Sequence, residues 1–153
     1  MRAARKLSGL CCIVATTGLL IAGQAYAGVS CHKINAKGVG QDLGGGNTEA
    51  YIIGGGLLHG TTQAHFEITG GSPPVFAIDG TLVVTTNQAT LTVHLAGTLD
   101  VTTGAFLSTG PVIGATGKLA GATGTLTLDG VEDLASGRFA EDVTETTCVN
   151  LAP

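Results

Sequence analysis

The sequence predicts an all-β protein: eight antiparallel strands closed into a single barrel, with a two-sheet sandwich as the alternative. Three observations carry this. Apolar residues recur with period two along most of the chain, and no segment sustains a 3.6-residue apolar period. Turns rich in glycine, asparagine and proline divide these segments at short intervals. Cys31 and Cys148 stand near the two ends of the chain that remains after residue 27, and as an even pair in an exported protein they read as a disulfide. Such a bond places the first and last strands side by side. A barrel needs that relation, and closure removes the edges that a threonine- and valine-rich sheet otherwise exposes.

Residues 1–27 read as a cleaved secretion signal. Arg2, Arg5 and Lys6 precede the apolar run Leu10 to Ala22, and Ala25-Tyr26-Ala27 is a small-x-small cleavage site. The run is shorter than the roughly 20 residues that span a bilayer. Cys11 and Cys12 open the run, whereas a lipidated cysteine would follow it. Residues 28–153 then form one domain, secreted or periplasmic, with no transmembrane span. Its cations are Lys33, Lys37, Lys118 and Arg138, against eleven acids. Scattered bases and a negative balance exclude a nucleic-acid footprint and attraction to an anionic membrane. Tyr51, Phe66, Phe76, Phe106 and Phe139 stand singly, too few for the aromatic girdles of an outer-membrane barrel.

The strands are expected near residues 31–42, 48–54, 58–69, 75–86, 89–101, 105–113, 123–130 and 138–149. The first two are set off by Gly44-Gly45-Gly46-Asn47 and Gly54-Gly55-Gly56. In the third, Ala64, Phe66 and Ile68 alternate with Gln63, His65 and Glu67. Gly70-Gly71-Ser72-Pro73-Pro74 ends it, because proline cannot donate to a ladder and starts a strand or lies outside one. In the fourth, Phe76, Ile78, Leu82 and Val84 share one parity. Thr86-Asn87-Gln88-Ala89 turns into the fifth, where Leu91, Val93, Leu95, Leu99 and Val101 share one face and Thr92, His94, Thr98 and Asp100 the other. The turns before the sixth and eighth strands, Asp100 to Phe106 and Asp133 to Phe139, share one pattern: acid, two residues, hydroxyl, glycine, one residue, phenylalanine. Each reads as a hairpin loop whose glycine takes φ > 0 and whose acid accepts hydrogen bonds from the loop backbone. Glycine-rich Gly114 to Gly124 leads into the seventh, where Leu126 and Leu128 alternate with Thr125, Thr127 and Asp129.

The run Gly117-Lys118-Leu119-Ala120-Gly121-Ala122-Thr123-Gly124, with Thr125-Leu126-Thr127 after it, resembles the glycine-rich segment of the allene oxide cyclase barrel-like superfamily. That group includes plant cyclases, dirigent proteins and many small exported bacterial proteins. The stretches Asp133 to Cys148 and Gly70 to Phe76 look like the bacterial members. The resemblance implies an eight-stranded barrel with a ligand cavity, and association into a homo-oligomer. Its motifs are structural turns, so it speaks for fold more than for function. The first strand, Cys31-His32-Lys33-Ile34-Asn35-Ala36-Lys37, lacks the acidic and asparagine pattern of the plant enzymes, so their catalytic positions do not carry across.

Candidates for chemistry are few. His65 and Glu67 share a strand face and suit a general acid/base pair or two metal ligands, or else a solvent-facing polar stripe. No third ligand has matching spacing, so no metal is expected. Asp79 lies in an otherwise apolar strand. It is either an acid with a raised pKa or an outward residue beside a bulge at Gly80, a pairing that Asp129-Gly130 repeats. His94 reads as outward-facing, and His32 and His59 have no identifiable partner. The glycine runs are not phosphate loops, since Leu119 stands where a Walker loop needs Ser or Thr. No cofactor is expected. The cavity candidates are Phe66, Phe76, Ile78, Phe106 and Phe139. Three readings stay open: a barrel binding a small hydrophobic molecule, an isomerase or cyclase, and a structural or interaction module of the cell envelope. Whether the protein is an enzyme is not decided by these residues.

Overall fold

A computed structural model describes residues 29–150. The expected signal segment lies outside the described residues. Eight strands form one closed antiparallel barrel in chain order. They are β1 (Val29–Gly44), β2 (Asn47–Gly54), β3 (Gly60–Ser72), β4 (Val75–Thr85), β5 (Thr90–Asp100), β6 (Ala105–Ala115), β7 (Thr123–Asp133) and β8 (Arg138–Asn150). The barrel is therefore the right alternative, not the sandwich. The eight expected segments are all strands, and most run one to three residues longer than their patterns suggest. Val101 is an exception to its expected face: β5 ends at Asp100, so Val101 sits exposed in the turn.

Closure runs through β1 and β8, which pair in continuous register from Val29↔Asn150 to Gln41↔Arg138. Cys31 and Cys148 are direct partners in that seam and are joined by a disulfide bond. Tight hairpins gather at one end of the barrel. The longer connections and both chain ends gather at the other, which is plugged. Two 3-10 turns, Gly56–Leu58 and Gly117–Leu119, turn Leu58 and Leu119 inward, where both are fully buried with Ala89, Leu91 and Ala122. Each buried leucine contributes about 2 kcal/mol. The glycine-rich loop before β7 is held down by Lys118 N–H donating to the Gln88 carbonyl at 3.2 Å. Gly117 has φ +59°, and a Cβ there would lie 2.1 Å from the same carbonyl oxygen. The segment thus closes the barrel floor.

The inner wall shows how so narrow a lumen accepts phenylalanine. Phe66 lies opposite Gly80, Phe106 opposite Gly130, and Phe139 opposite Gly40. A Cβ on each glycine would meet the facing ring at 2.4–2.6 Å. Each ring occupies the volume its glycine leaves empty. This corrects the expectation of a bulge at Gly80: the ladder is regular there, and the β3–β4 register shift falls between Ile68 and Gly70. Asp79 and Asp129 precede inward glycines and so point outward.

Replacing Cys31 by serine should lower the free energy of unfolding by up to about 5 kcal/mol, the chain-entropy value for so long a loop. Denaturant titration with and without a reductant measures it. An identical midpoint in both would show that the bond contributes nothing.

Candidate functional site

Between the plug and the hairpin end lies a cavity of about 570 Å³. Its wall includes Ala64, Phe66, Ile78, Leu82, Leu99, Phe106, Leu128 and Phe139, and it opens beside Asp42, Gly45, Gly46 and Glu132. Phe106 and Phe139 meet edge to face, with ring centroids 5.9 Å apart. Four of the five residues expected in a cavity wall thus lie in this one. Phe76 does not; it is half-buried, opposite Leu99.

The repeated turn builds one side of the mouth. Asp100 accepts the N–H of Thr102 at 2.8 Å and of Thr103 at 3.3 Å. Asp133 accepts the N–H of Ala135 at 3.1 Å and the Ser136 hydroxyl at 2.7 Å. These bonds favour the charged form and hold both carboxyls below the usual range, led by the Thr102 N–H for Asp100 and the Ser136 hydroxyl for Asp133. Gly104 and Gly137 take φ +73° and +69°. Their carbonyls accept backbone N–H bonds from the next strand around the barrel: Glu132 to Gly104 at 2.9 Å, and Asp42 to Gly137 at 2.7 Å. Each copy of the turn therefore delivers a phenylalanine into the lumen and fixes the backbone of an acid at the rim.

The other two hairpins keep the backbone bond with different side chains. Val101 N–H donates to the Pro74 carbonyl at 2.9 Å, and Phe66 N–H to the Gly46 carbonyl at 2.8 Å. Val101 and Phe66 thus occupy the position held by Glu132 and Asp42. Acids follow two of these bonds and apolar residues the other two, with His65 and Glu67 flanking Phe66 at the cavity edge.

Glu141 lies deeper on the acidic side. It is 7% exposed and lines the cavity. On β8 it is flanked by Gly38 of β1 and Gly130 of β7, its partners on either side. A Cβ on Gly38 would lie 2.4 Å from Glu141 Oε1, and one on Gly130 2.8 Å from Glu141 Cβ. The two glycines make the space for this side chain. Among the described residues no ion pair reaches it. Burial pushes its carboxyl up to about 7. At the rim, Glu132 is also raised, first by burial and then by the charges of Asp42 and Asp133. Nearer the plug Glu145 is 2% exposed, opposite Ile34 and Leu126, and neither carboxyl oxygen has a hydrogen-bond partner. Burial raises it as well.

The residues singled out by sequence pattern come together elsewhere. His65, Glu67, Asp79 and His94 stand on the outer wall of β3–β5. His94 Nε2 is 3.0 Å from Asp79 Oδ1, His65 Nε2 is 3.7 Å from Glu67, and His65 Nδ1 is 3.0 Å from Asn47 Oδ1. Glu67 and Asp79 are cross-strand partners. His65 and Glu67 touch the cavity edge, yet both side chains are mostly exposed. His59 has a partner after all: its Nε2 lies 2.8 Å from the Tyr51 hydroxyl. Set against family models, curated proteins and solved structures, the chain matches none. What the site does must therefore be argued from its own groups.

Those groups provide an apolar pocket with a carboxyl that is half protonated near neutral pH. A raised folded-state pKa means that the unfolded chain releases this proton at lower pH. The stability is then highest below about pH 4.5, falls as pH rises toward 7, and levels off above, by about 3 kcal/mol for Glu141 alone. Glu141→Gln should remove that portion of the slope, leaving one of the same sign from Glu132 and Glu145. Urea unfolding of both proteins at pH 5 and pH 8 measures it. Equal slopes would place Glu141 in water. Gly130→Ala should cost about 1–3 kcal/mol by overpacking, because its Cβ would lie 2.6 Å from the Ala140 carbonyl oxygen. Gly70→Ala, with open space around it, should change thermal stability little and serves as the control.

Proposed function

We propose that this protein is an exported binding protein that holds one small, largely apolar molecule inside its barrel. The observation that carries the reading is the cavity itself. An eight-stranded barrel usually has just enough interior for its own side chains; here the half beside the hairpins is left open and lined by aromatic and aliphatic groups. Its volume falls in the range of small-molecule sites. The signal pattern of residues 1–27 and the Cys31–Cys148 bond support an exported setting. Among the described residues no helix is long and apolar enough to cross a membrane.

A second reading rests on Glu141. A buried acid that titrates near neutral pH can give a proton to a bound molecule and take it back. The resemblance to allene oxide cyclase-like barrels supports an isomerisation or ring closure of that kind. The first-strand departure from the plant enzymes counts against their particular chemistry, so the acid on β8 is the residue to which this reading assigns the step.

Native mass spectrometry of the protein from its producing cells should show a complex one small molecule heavier than the chain. A bare mass, together with no thermal shift on adding a lipid extract of those cells, would sink the binding reading. If the molecule is recovered, the wild-type protein should convert it and Glu141→Gln should bind it unchanged; chromatography of the incubated ligand tells the two readings apart.

A further inference from the structure

The mouth of the cavity is chemically two-sided. Asp42, Glu132 and Glu141 line one side, on β1, β7 and β8. Val101 and Phe66 hold the matching hairpin positions on the other. Among the described residues, none of the three acids takes part in an ion pair. Asp42 accepts only the nearby Gly44 N–H, at 2.8 Å. Glu141 is more than nine-tenths buried, faces the cavity and accepts no side-chain hydrogen bond there. Other charged or titratable groups around it are Glu67 and His65 at the cavity edge, Asp133 and Arg138 on the β7–β8 hairpin, and Asp129, Asp142 and Lys37, which share a groove with it, Lys37 being paired with Asp142. Arg138 lies opposite Gln41 and Asp133 on the outward face of β8, and its side chain is exposed. Among the described residues no lysine or arginine lines the cavity.

An anionic ligand would add charge of the same sign to this side. A neutral one would leave the buried Glu141 unpaired and shut off from water. A cation would pair with it where water is excluded and charge interactions are strong. We propose that the cavity selects a molecule with an apolar body and a protonated amine, the amine seated against Glu141, with Asp42 and Glu132 at the rim drawing it in, and the body lying against Phe66, Phe106 and Phe139. This rests on the binding reading above and names its ligand class. It also couples binding to protons. A cation beside Glu141 favours the carboxylate, so near neutral pH each amine bound expels part of a proton.

The test is isothermal titration of the purified protein at pH 7 with three ten-carbon probes: decylamine, decanol and decanoate. Decylamine should bind at least about tenfold more tightly than decanol, the scale of one charge-assisted hydrogen bond, and decanoate more weakly than either. Decylamine titrated in two buffers of different ionisation heat should report proton release, absent in Glu141→Gln. Asp42→Asn with Glu132→Gln keeps side-chain volume and should weaken decylamine part of the way toward decanol, and adding Glu141→Gln should bring the two to the same affinity. Equal affinity of decylamine and decanol in the wild-type protein overturns the amine selection and leaves the cavity reading standing. Binding by none of the three overturns both.

Discussion

The register of the β1–β8 seam is the constraint on which the rest depends. It sets Gly38 against Glu141, Gly40 against Phe139, and Asp42 beside the β7–β8 hairpin. Three features of the cavity are therefore assembled from opposite ends of the chain. A slip by two residues would keep every side chain on its proper face, so alternation alone does not choose between registers. In the observed pairing Glu141 lies over Gly38 and Phe139 over Gly40, each filling space that a Cβ on its glycine would take. The disulfide at the plugged end ties the same two strands in the same register.

From that register follows a division of labour along the barrel. The plugged half is packed with leucine, valine and alanine in the manner of any small core. The open half trades packing for space. Glycines facing inward usually weaken a sheet, but here Gly40, Gly80 and Gly130 sit beneath aromatic rings and Gly38 beside Glu141, and the rings recover the contact that those glycines give up. The backbone ladder is regular at Gly40, Gly80 and Gly130, and its shifts beside the cavity fall nearer the hairpins, at Asp42/Gly44 and Ile68/Gly70.

Much of this was legible in the sequence, and the shortfall has a physical cause. Period two, turn glycines and the outlying cysteines led to eight strands and their closure. The repeated Asp-to-Phe turn was visible as a pattern, and the acid did accept its loop's N–H groups. What the pattern did not show was its partner: the acid one strand further round, which becomes a neighbour only through closure. Asp79-Gly80 was misread because a glycine needed for a facing ring looks, in one dimension, like a glycine needed for a bend. Glu141 and Glu145 were overlooked although a signal existed. They share parity with Phe139, Val143 and Val149, so two carboxylates lie on the apolar face of β8. An acid out of place in a period-two pattern says more about a lumen than a histidine in its proper place, as His65 and His94 show on the outer wall.

The four hairpins around the mouth share one backbone device, a carbonyl that takes an N–H from the adjacent strand. Because the bond is between main chains, it asks nothing of the side chain at that residue. Glu132, Asp42, Val101 and Phe66 are four occupants of one recurring socket, and Phe66 also fills the space over Gly80. A lineage built on this scaffold has three free dials around a single opening. Turning any of them recolours the entrance without disturbing the ladder beneath, so new ligand preferences lie one codon away from a barrel that already folds.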